Sequence, residues 1–286
     1  MKRTLACGSA VLALALTTDN VTAQQSRESQ VNDATAAQWS LQFAYQAMPE
    51  YKSDTLVTGE VRSEGNQSYF QYRMVAPIPL GKVKILPRLT IRYTQNAAGD
   101  WGFSPTDLFA LIVPWEWATG RAGLGPDIVI PGSTKVGSGE WSYGIAGAII
   151  QRFFDDKLMV GLLLQQVWGK RDVVDITQPE EGPPSVTPGE GTETGAQPLV
   201  INPFIMYQLG KGWYLGTNDL QAQHSWEFGG WIVPVGARFG YVLVKPKASW
   251  NFYVEAATEF ATDNWLGPAA ETKIRVNVSY AIPVGG

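Results

Sequence analysis

The chain has 286 residues, of which 45% are hydrophobic and 12% aromatic, and it carries a formal net charge of −4 at pH 7. A mildly acidic chain lacks the electrostatic footprint of a nucleic-acid-binding protein, so we expect no nucleic-acid partner. Beyond the N-terminal region no stretch approaches the roughly 18 uninterrupted apolar residues of a membrane-spanning helix. Rich in aromatic residues and glycine, a chain of this length fits a single all-β domain.

The first 23 residues have the features of a secretory signal peptide. Lys2 and Arg3 precede an apolar run too short to span a bilayer, and a Val-Thr-Ala triplet offers a cleavage site before Gln24. Lipidation is disfavoured, since most of the apolar run follows Cys7 instead of preceding it. Because Cys7 is the only cysteine, the mature chain would have neither a disulfide nor thiol chemistry.

The mature chain begins with a polar stretch and then changes to strict alternation. Residues 24–38 lack any periodicity, which predicts a loose periplasmic leader. From Trp39 to Ala47 apolar and polar residues alternate, as in a strand with one apolar face. The stretch Thr272–Pro283 repeats this design and places five apolar residues on one face: Ile274, Val276, Val278, Tyr280 and Ile282. Matching first and last strands are expected when the two pair to close a barrel.

Ten further candidate strands lie between these two. They cover residues 68–76, 83–95, 105–114, 122–131, 140–152, 158–168, 198–209, 213–222, 231–243 and 249–260. A tilted strand that crosses a membrane needs about 9–11 residues, whereas strands of soluble sheets typically have roughly 5–6. The prediction is an all-β fold, a single antiparallel up-and-down transmembrane β-barrel of about 12 strands that occupies residues 39–286.

The connections between the predicted strands alternate between long and short. The longest covers residues 169–197 and is rich in proline, glycine, glutamate and threonine. Outer-membrane barrels have long extracellular loops, short periplasmic turns and an even number of strands. Most tryptophans fall near strand ends, where the ring could lie at the level of lipid headgroups; capping of a soluble core is the alternative. We therefore expect export to the bacterial outer membrane, with lipid around the barrel.

Three stretches resemble a known family. They are A-G-L-G-P-D-I-V-I-P-G-S-T-K-V-G-S-G-E-W-S-Y-G (122–144), V-I-N-P-F-I-M-Y-Q-L-G-K-G-W-Y-L (200–215) and W-I-V-P-V-G-A-R-F-G-Y-V (231–242). Together they resemble the bacterial outer-membrane family labelled MetA-pathway of phenol degradation, whose members are often called transporter-like proteins. The resemblance implies an outer-membrane barrel with a role in the uptake of aromatic or other small hydrophobic compounds. It implies no catalytic residue and no cofactor.

Charged residues on the polar faces of the predicted strands are candidates for lining the pore. The candidates are Arg73, Lys84, Arg88, Arg92, Arg238, Glu255, Glu259, Lys273 and Arg275. Four cations on neighbouring strands would favour anionic permeants if they faced open water. The alternative is that opposite charges pair and fill a narrow interior. The sequence leaves both interpretations open.

Three other motifs give only weak evidence for catalysis or ligand binding. A serine hydrolase would need a histidine bonded to its nucleophile, but His224 and Ser225 are adjacent and would point apart, so His224 is expected to be a solvated loop residue. Gly-Leu-Gly-Pro and Gly-Ser-Gly precede no helix, and we expect the strand glycines to mark bends and close packing. The acidic residues of 169–197 lack the ligand spacing of a calcium loop.

These patterns favour an outer-membrane channel or transporter for passive uptake of small molecules, possibly aromatic or hydrophobic compounds. Loop 169–197 would gate entry. We expect no enzyme activity, cofactor or metal. The alternative is a structural or interaction barrel with a plugged lumen that displays extracellular loops.

Overall fold

The structure is a computed structural model. It describes residues 27–33, 35–52, 67–81, 83–137, 139–177, 185–217, 219, 221–227, 229–265 and 267–284, with side chains given outside 171–192. The predicted signal peptide lies outside the described residues. Within them, no helix is both long and apolar enough to cross a bilayer.

One short helix and sixteen strands make up the described fold. They are α1 (Arg27–Gln30), β1 (Gln38–Tyr51), β2 (Gln67–Val75), β3 (Ile78–Leu80), β4 (Val83–Gln95), β5 (Trp101–Phe103), β6 (Thr106–Trp117), β7 (Gly120–Ile130), β8 (Ser142–Phe153), β9 (Leu158–Thr177), β10 (Ser185–Ala196), β11 (Leu199–Gly210), β12 (Trp213–Thr217), β13 (Ala222–Ser225), β14 (Gly230–Val244), β15 (Ser249–Asp263) and β16 (Ala270–Pro283).

The strands form a closed antiparallel barrel. β1 pairs with β2 on one side and with β16 on the other, so the first and last strands close the sheet. Around the barrel the order is β1, β2, β4, β6, β7, β8, β9, β11, β12, β14, β15 and β16. β13 lies between β11 and β14 like β12, so β12 and β13 share one position of the barrel. The predicted barrel of 12 antiparallel strands is confirmed.

The two faces of the sheet reverse the usual burial of a soluble protein. On β16, Ile274 and Val276 are each 46% exposed on the outside, whereas Arg275 is 3% and Asn277 6% exposed inside. β15 follows the same rule, with exposed Phe252 and Val254 alternating with buried Tyr253 and Glu255. A protein that folds in water usually buries its large apolar side chains and exposes its charges, which is the opposite arrangement. The barrel therefore has an apolar outer surface and a polar interior, which we call the lumen.

Exposed tryptophans form two girdles. One lies at the end of the barrel where short connections join β6 to β7, β8 to β9, β11 to β12 and β14 to β15, which we call the short-turn end. Its tryptophans are Trp39, Trp115, Trp117, Trp213 and Trp250. The other girdle, at the long-loop end, contains Trp141, Trp168, Trp226 and Trp231. Aromatic girdles at both edges of an apolar band are typical of membrane barrels.

Two strand glycines accommodate an aromatic ring from the neighbouring strand. Gly161 pairs across the sheet with Phe204, and Gly240 pairs with Tyr214. A Cβ atom added to either glycine would collide with the facing ring. Glycine thus allows close packing in a curved sheet at these two positions.

The segment 169–197 differs from the predicted loop. β9 continues to Thr177 and pairs with β10, so that the two extend as a hairpin beyond the barrel. Residues 178–184 lie outside the described residues. A polar hairpin outside the barrel needs no apolar face. Its strands therefore lack the alternation of apolar and polar residues from which the other strands were predicted. The prediction of a loop over the whole segment is therefore wrong.

The predicted strand 213–222 is also interrupted. β12 ends at Thr217 and β13 begins at Ala222. Asp219, which lies between them in the chain, is among the charged side chains of the lumen. The ion pairs that Asp219 makes there account for this break.

Candidate functional site

The segment that precedes β1 lies inside the short-turn end of the lumen. Residues 24–38 were expected to form a loose leader, but Ser29, Val31 and Asp33 are all buried. Arg27 Nη1 donates a hydrogen bond to the carbonyl oxygen of Lys245, in the turn between β14 and β15, at 2.6 Å. We call residues 27–33 and 35–37 the plug. It binds the lumen through specific contacts that the polar sequence did not reveal.

An ion pair holds the plug to the barrel wall. Asp33 Oδ2 lies 3.0 Å from Arg121 Nη2 on β7, and the Asp33 side chain is fully buried. The other oxygen of Asp33 accepts hydrogen bonds from the backbone N–H and the hydroxyl of Thr35, at 2.8 and 2.7 Å. Arg121 also lies 4.0 Å from Glu116, which pairs with Lys84 at 2.8 Å. Lys84 therefore belongs to a charge network at the short-turn end.

A second polar contact joins the plug to the opposite wall. Asn251 Nδ2 on β15 donates to Asn32 Oδ1 at 3.2 Å, and the Tyr214 hydroxyl donates to Asn251 Oδ1 at 2.8 Å. Between the two polar anchors Val31 belongs to a buried apolar cluster with Ile150, Met159, Phe204, Met206, Tyr214, Val242, Tyr253 and Ala281. Burying a valine side chain contributes about 1.5–3 kcal/mol.

The lumen next to the plug is apolar on one side. Buried inward residues there are Leu86, Phe109, Leu111, Val113, Ala146, Ala148 and Leu163, with Ala37 of the plug and Val75 packed against them. Sequence reasoning assigned only polar faces to the lumen and missed this cluster. A signal was present, because β6, β8 and β9 are apolar on both faces near the short-turn end.

Above the plug, towards the long-loop end, three arginines surround Asp219. Arg73 Nη1 and Arg275 Nη1 lie 3.0 and 3.5 Å from Asp219 Oδ2, and Arg238 Nη2 lies 4.0 Å from Oδ1. Arg238 Nη2 also lies 3.0 Å from Glu255 Oε2, which accepts the backbone N–H of Asp219 at 2.9 Å. We call these five residues the Asp219 cluster. The alternation of residues along the predicted strands assigned four of its members to the lumen, but it did not identify Asp219.

Two further predicted arginines lie on the same side of the lumen. The guanidinium group of Arg88 stacks over the Phe109 ring at 4.2 Å from the ring centroid. Arg92 Nε donates to Gln71 Oε1 at 3.0 Å. The last predicted pair, Lys273 and Glu259, forms an ion pair nearer the long-loop end. All nine predicted pore-lining residues thus have side chains that take part in polar or stacking contacts.

Two acids of the lumen lie on β6 and β7, and β6 pairs directly with the arginine-bearing strand β4. Gln165 Nε2 donates to Asp127 Oδ2 at 3.0 Å and lies 3.3 Å from both carboxylate oxygens of Asp107. These residues are on β6, β7 and β9, whereas the arginines are on β2, β4, β14 and β16. Charges of opposite sign on different strands impose an electric field within the lumen. Neither acid is among the residues predicted from the sequence.

A small cavity separates the plug from the Asp219 cluster. Its volume is about 90 Å³. Its lining includes Arg73, Arg88 and Arg238 together with apolar groups such as Leu163, Phe204, Met206 and Val31. A volume of this size holds several waters or one small organic molecule. The cavity is amphipathic because its lining combines guanidinium groups with hydrocarbon.

His224 is on a strand, so the expectation of a solvated loop residue is wrong. It lies on β13, where its ring packs 4.3 Å from Trp231 and 4.7 Å from Trp226, measured between ring centroids. Its Nδ1 lies 3.1 Å from the carbonyl oxygen of Gly230, a partner that fixes the ring in place. Ser225 pairs with Gly230 in the sheet. The ring is thus a packing element of the long-loop end.

Metal-binding chemistry has little support in the described part of the chain. There, no group of three or more histidine, cysteine, aspartate or glutamate side chains could hold a metal ion. The acidic residues of 169–197, which lack the ligand spacing of a calcium loop, mostly lie among 171–192, outside the described side chains.

Comparisons with known proteins support the fold and go no further. No family model matches the chain, and no curated protein matches it either. Among solved structures, the COG4313 outer membrane channel from Pseudomonas putida F1 aligns with a TM-score of 0.55 at 13% identity, over 86% of this chain and 95% of that one. This likeness supports the same barrel fold.

Two other likenesses are weaker. The KdgM porin aligns with a TM-score of 0.46 at 12% identity, over 84% of this chain and 98% of that one. A mutant outer membrane phospholipase A from Escherichia coli has a TM-score of 0.44 at 11% identity, over 90% of this chain and 98% of that one. Likenesses at this level do not bear on the function of the chain.

Proposed function

We propose that this protein is an outer-membrane channel through which small molecules enter passively. The observation that carries the proposal is the closed barrel whose outside is apolar between two tryptophan girdles and whose inside is polar. A closed sheet satisfies every backbone amide internally, which a structure in lipid requires. The apolar band would face lipid, and the charged lumen would be the path of the permeant.

The chemical class of the permeant is the finer part of the proposal. The sequence resemblance to the MetA-pathway of phenol degradation family favours aromatic or other small hydrophobic compounds. The amphipathic cavity is consistent with an organic molecule, because its lining offers both hydrocarbon and guanidinium groups. The arginine side of the lumen favours permeants that carry negative charge.

The alternative is a sealed barrel that displays its loops, and one observation favours it. The plug is bound by an ion pair, by hydrogen bonds to two walls and by the burial of Val31. These contacts would narrow the lumen at the short-turn end. A channel with this plug must release or shift it to conduct large solutes, whereas a structural barrel never does.

Solute flux distinguishes the two functions. The mature chain is refolded into liposomes, and entry of small sugars, organic anions and phenolic acids is compared, with Arg88→Ala in parallel. Selective entry of aromatic acids that weakens in Arg88→Ala supports the proposed channel. No flux of any solute, with the barrel shown to be folded, contradicts the channel and supports the structural barrel.

A further inference from the structure

The Asp219 cluster and the neighbouring Arg88 together hold four buried arginines, with two carboxylates paired among them. Arg73, Arg88, Arg238 and Arg275 are each at most 7% exposed. Ion pairs within 4.0 Å connect three of them to Asp219, and Glu255 is the other carboxylate paired with this group. Buried charges are costly unless they are paired, so an additional anion within reach of these arginines would be favourable.

Unused donors show where such an anion would bind. Nε and Nη2 of Arg275 and Nε of Arg88 are buried without a hydrogen-bond partner among the described residues. A guanidinium group has five donors in a fixed planar fork, which suits the two oxygens of a carboxylate. Arg88 makes no ion pair within 4.0 Å in the described part of the chain. Arg88 lines the cavity beside the plug, and Arg275 contacts Asp219, which lines it too.

Asp219 lies outside the regular strands of the barrel wall. It lies between β12 and β13, where the strand position is interrupted, so its main chain is outside the regular ladder of the barrel. Its side chain therefore offers the arginines a carboxylate from a short connecting segment. A free carboxylate of similar size could replace it at the same donors.

We propose that the arginines around Asp219 form a binding site for a small aliphatic carboxylate, whose oxygens take the place of the Asp219 carboxylate. The hydrocarbon part of the ligand occupies the adjoining cavity of about 90 Å³, against Leu163, Phe204 and Met206. A cavity of about 150 Å³ accommodates benzene in another protein, so this smaller one suits a two- or three-carbon chain. The site goes beyond the proposed function, on which its role in permeation rests, by adding small aliphatic carboxylates to the ligands of the lumen.

Binding to the folded protein in detergent tests the site separately from permeation. The probe is propionate, and propionamide is its neutral counterpart of the same shape. Both are titrated calorimetrically into the wild-type mature chain, Asp219→Asn and Asp155→Asn. Asp155 lies in an exposed turn with a φ of 53°, a conformation that asparagine tolerates well, so Asp155→Asn is a matched control for charge. Folding is verified for each variant by the resistance of the barrel to unfolding on gels.

The expected result is that Asp219→Asn binds propionate about tenfold or more tightly than wild type, because the internal competitor is gone. Asp155→Asn should bind propionate as wild type does, and propionamide should bind to none of them. Equal propionate affinity of folded Asp219→Asn and wild type would overturn the proposal. Equal binding of propionamide and propionate would overturn it as well.

If Asp219→Asn does not fold, a second variant tests the site. Arg275→Gln should lose the propionate binding of the wild-type chain. Unchanged binding in Arg275→Gln, or a wild-type chain that binds no propionate, contradicts the site. The experiments distinguish failure of the channel proposal from failure of the site proposal. Propionate binding without any flux refutes only the channel, whereas flux without propionate binding refutes only the site.

Discussion

The ion pair between Asp33 and Arg121 should set how firmly the plug is held, and Asp33→Asn tests this. Asparagine has nearly the same shape as aspartate and can still accept the two hydrogen bonds from Thr35. The substitution therefore replaces the carboxylate oxygen that faces Arg121 at 3.0 Å with an uncharged amide NH2 group. Its effect can be assigned to this one interaction.

The size of the effect follows from the surroundings of the pair. Removing one partner of a buried ion pair costs roughly 3–5 kcal/mol when the other charge is left alone. Arg121 is not left alone, because Glu116 lies 4.0 Å away, although 37% of the Glu116 side chain is exposed. We therefore expect the lower cost of about 2 kcal/mol, which raises the population of released plug about 30-fold.

Amide hydrogen exchange measures that population. Backbone hydrogen bonds of the plug, such as Asp33 N–H to the Gln30 carbonyl at 3.1 Å, should lose protection about 30-fold in Asp33→Asn. Asp155→Asn, which changes the same residue type in an exposed turn, should leave the plug unchanged. If Asp33→Asn and wild type exchange at the same rate over residues 27–38, the ion pair does not hold the plug.

Three further predictions concern the barrel itself. Glu255→Gln should lower the free energy of unfolding in urea by roughly 3 kcal/mol because it removes the closer carboxylate of buried Arg238 and leaves only Asp219 at 4.0 Å. A loss no larger than that of the exposed control Glu271→Gln would contradict this. Val254→Lys, on the outer face, should impair folding into lipid vesicles by about 2–4 kcal/mol, whereas Glu271→Lys should not; efficient folding of both would argue against lipid contact. Gly161→Ala should destabilise the barrel by about 1–3 kcal/mol because its Cβ collides with a facing ring, while Gly147→Ala, whose Cβ would make only an ordinary contact, should not; equal stability would refute the packing argument.

The barrel could be predicted from the sequence because its rules are local. Period-two alternation fixes which side chains face outwards, and Ile274 and Arg275 fall on the faces that it assigned. The predicted strand 83–95 coincides with β4 (Val83–Gln95). The β9–β10 hairpin escaped prediction because strands outside the membrane region need no apolar face.

The contents of the lumen could not be predicted in the same way. The plug has a polar sequence, and its burial depends on partners such as Arg121 and Asn251 that are distant in the chain. Asp219 was assigned to a regular strand, yet arginines from three other strands draw it inwards. The alternation along a strand predicts which arginines face the lumen, but it does not predict which carboxylates form ion pairs with them.

Ion conductance across planar bilayers tests the central claim most directly. The mature chain is compared with a variant that lacks residues 27–33, and the folded state of both is verified first. We expect discrete conductance steps from the full chain and clearly larger steps from the shortened one, because the plug would narrow the short-turn end of an otherwise continuous lumen. Folded protein that inserts but conducts no ions in either form would contradict the proposed channel.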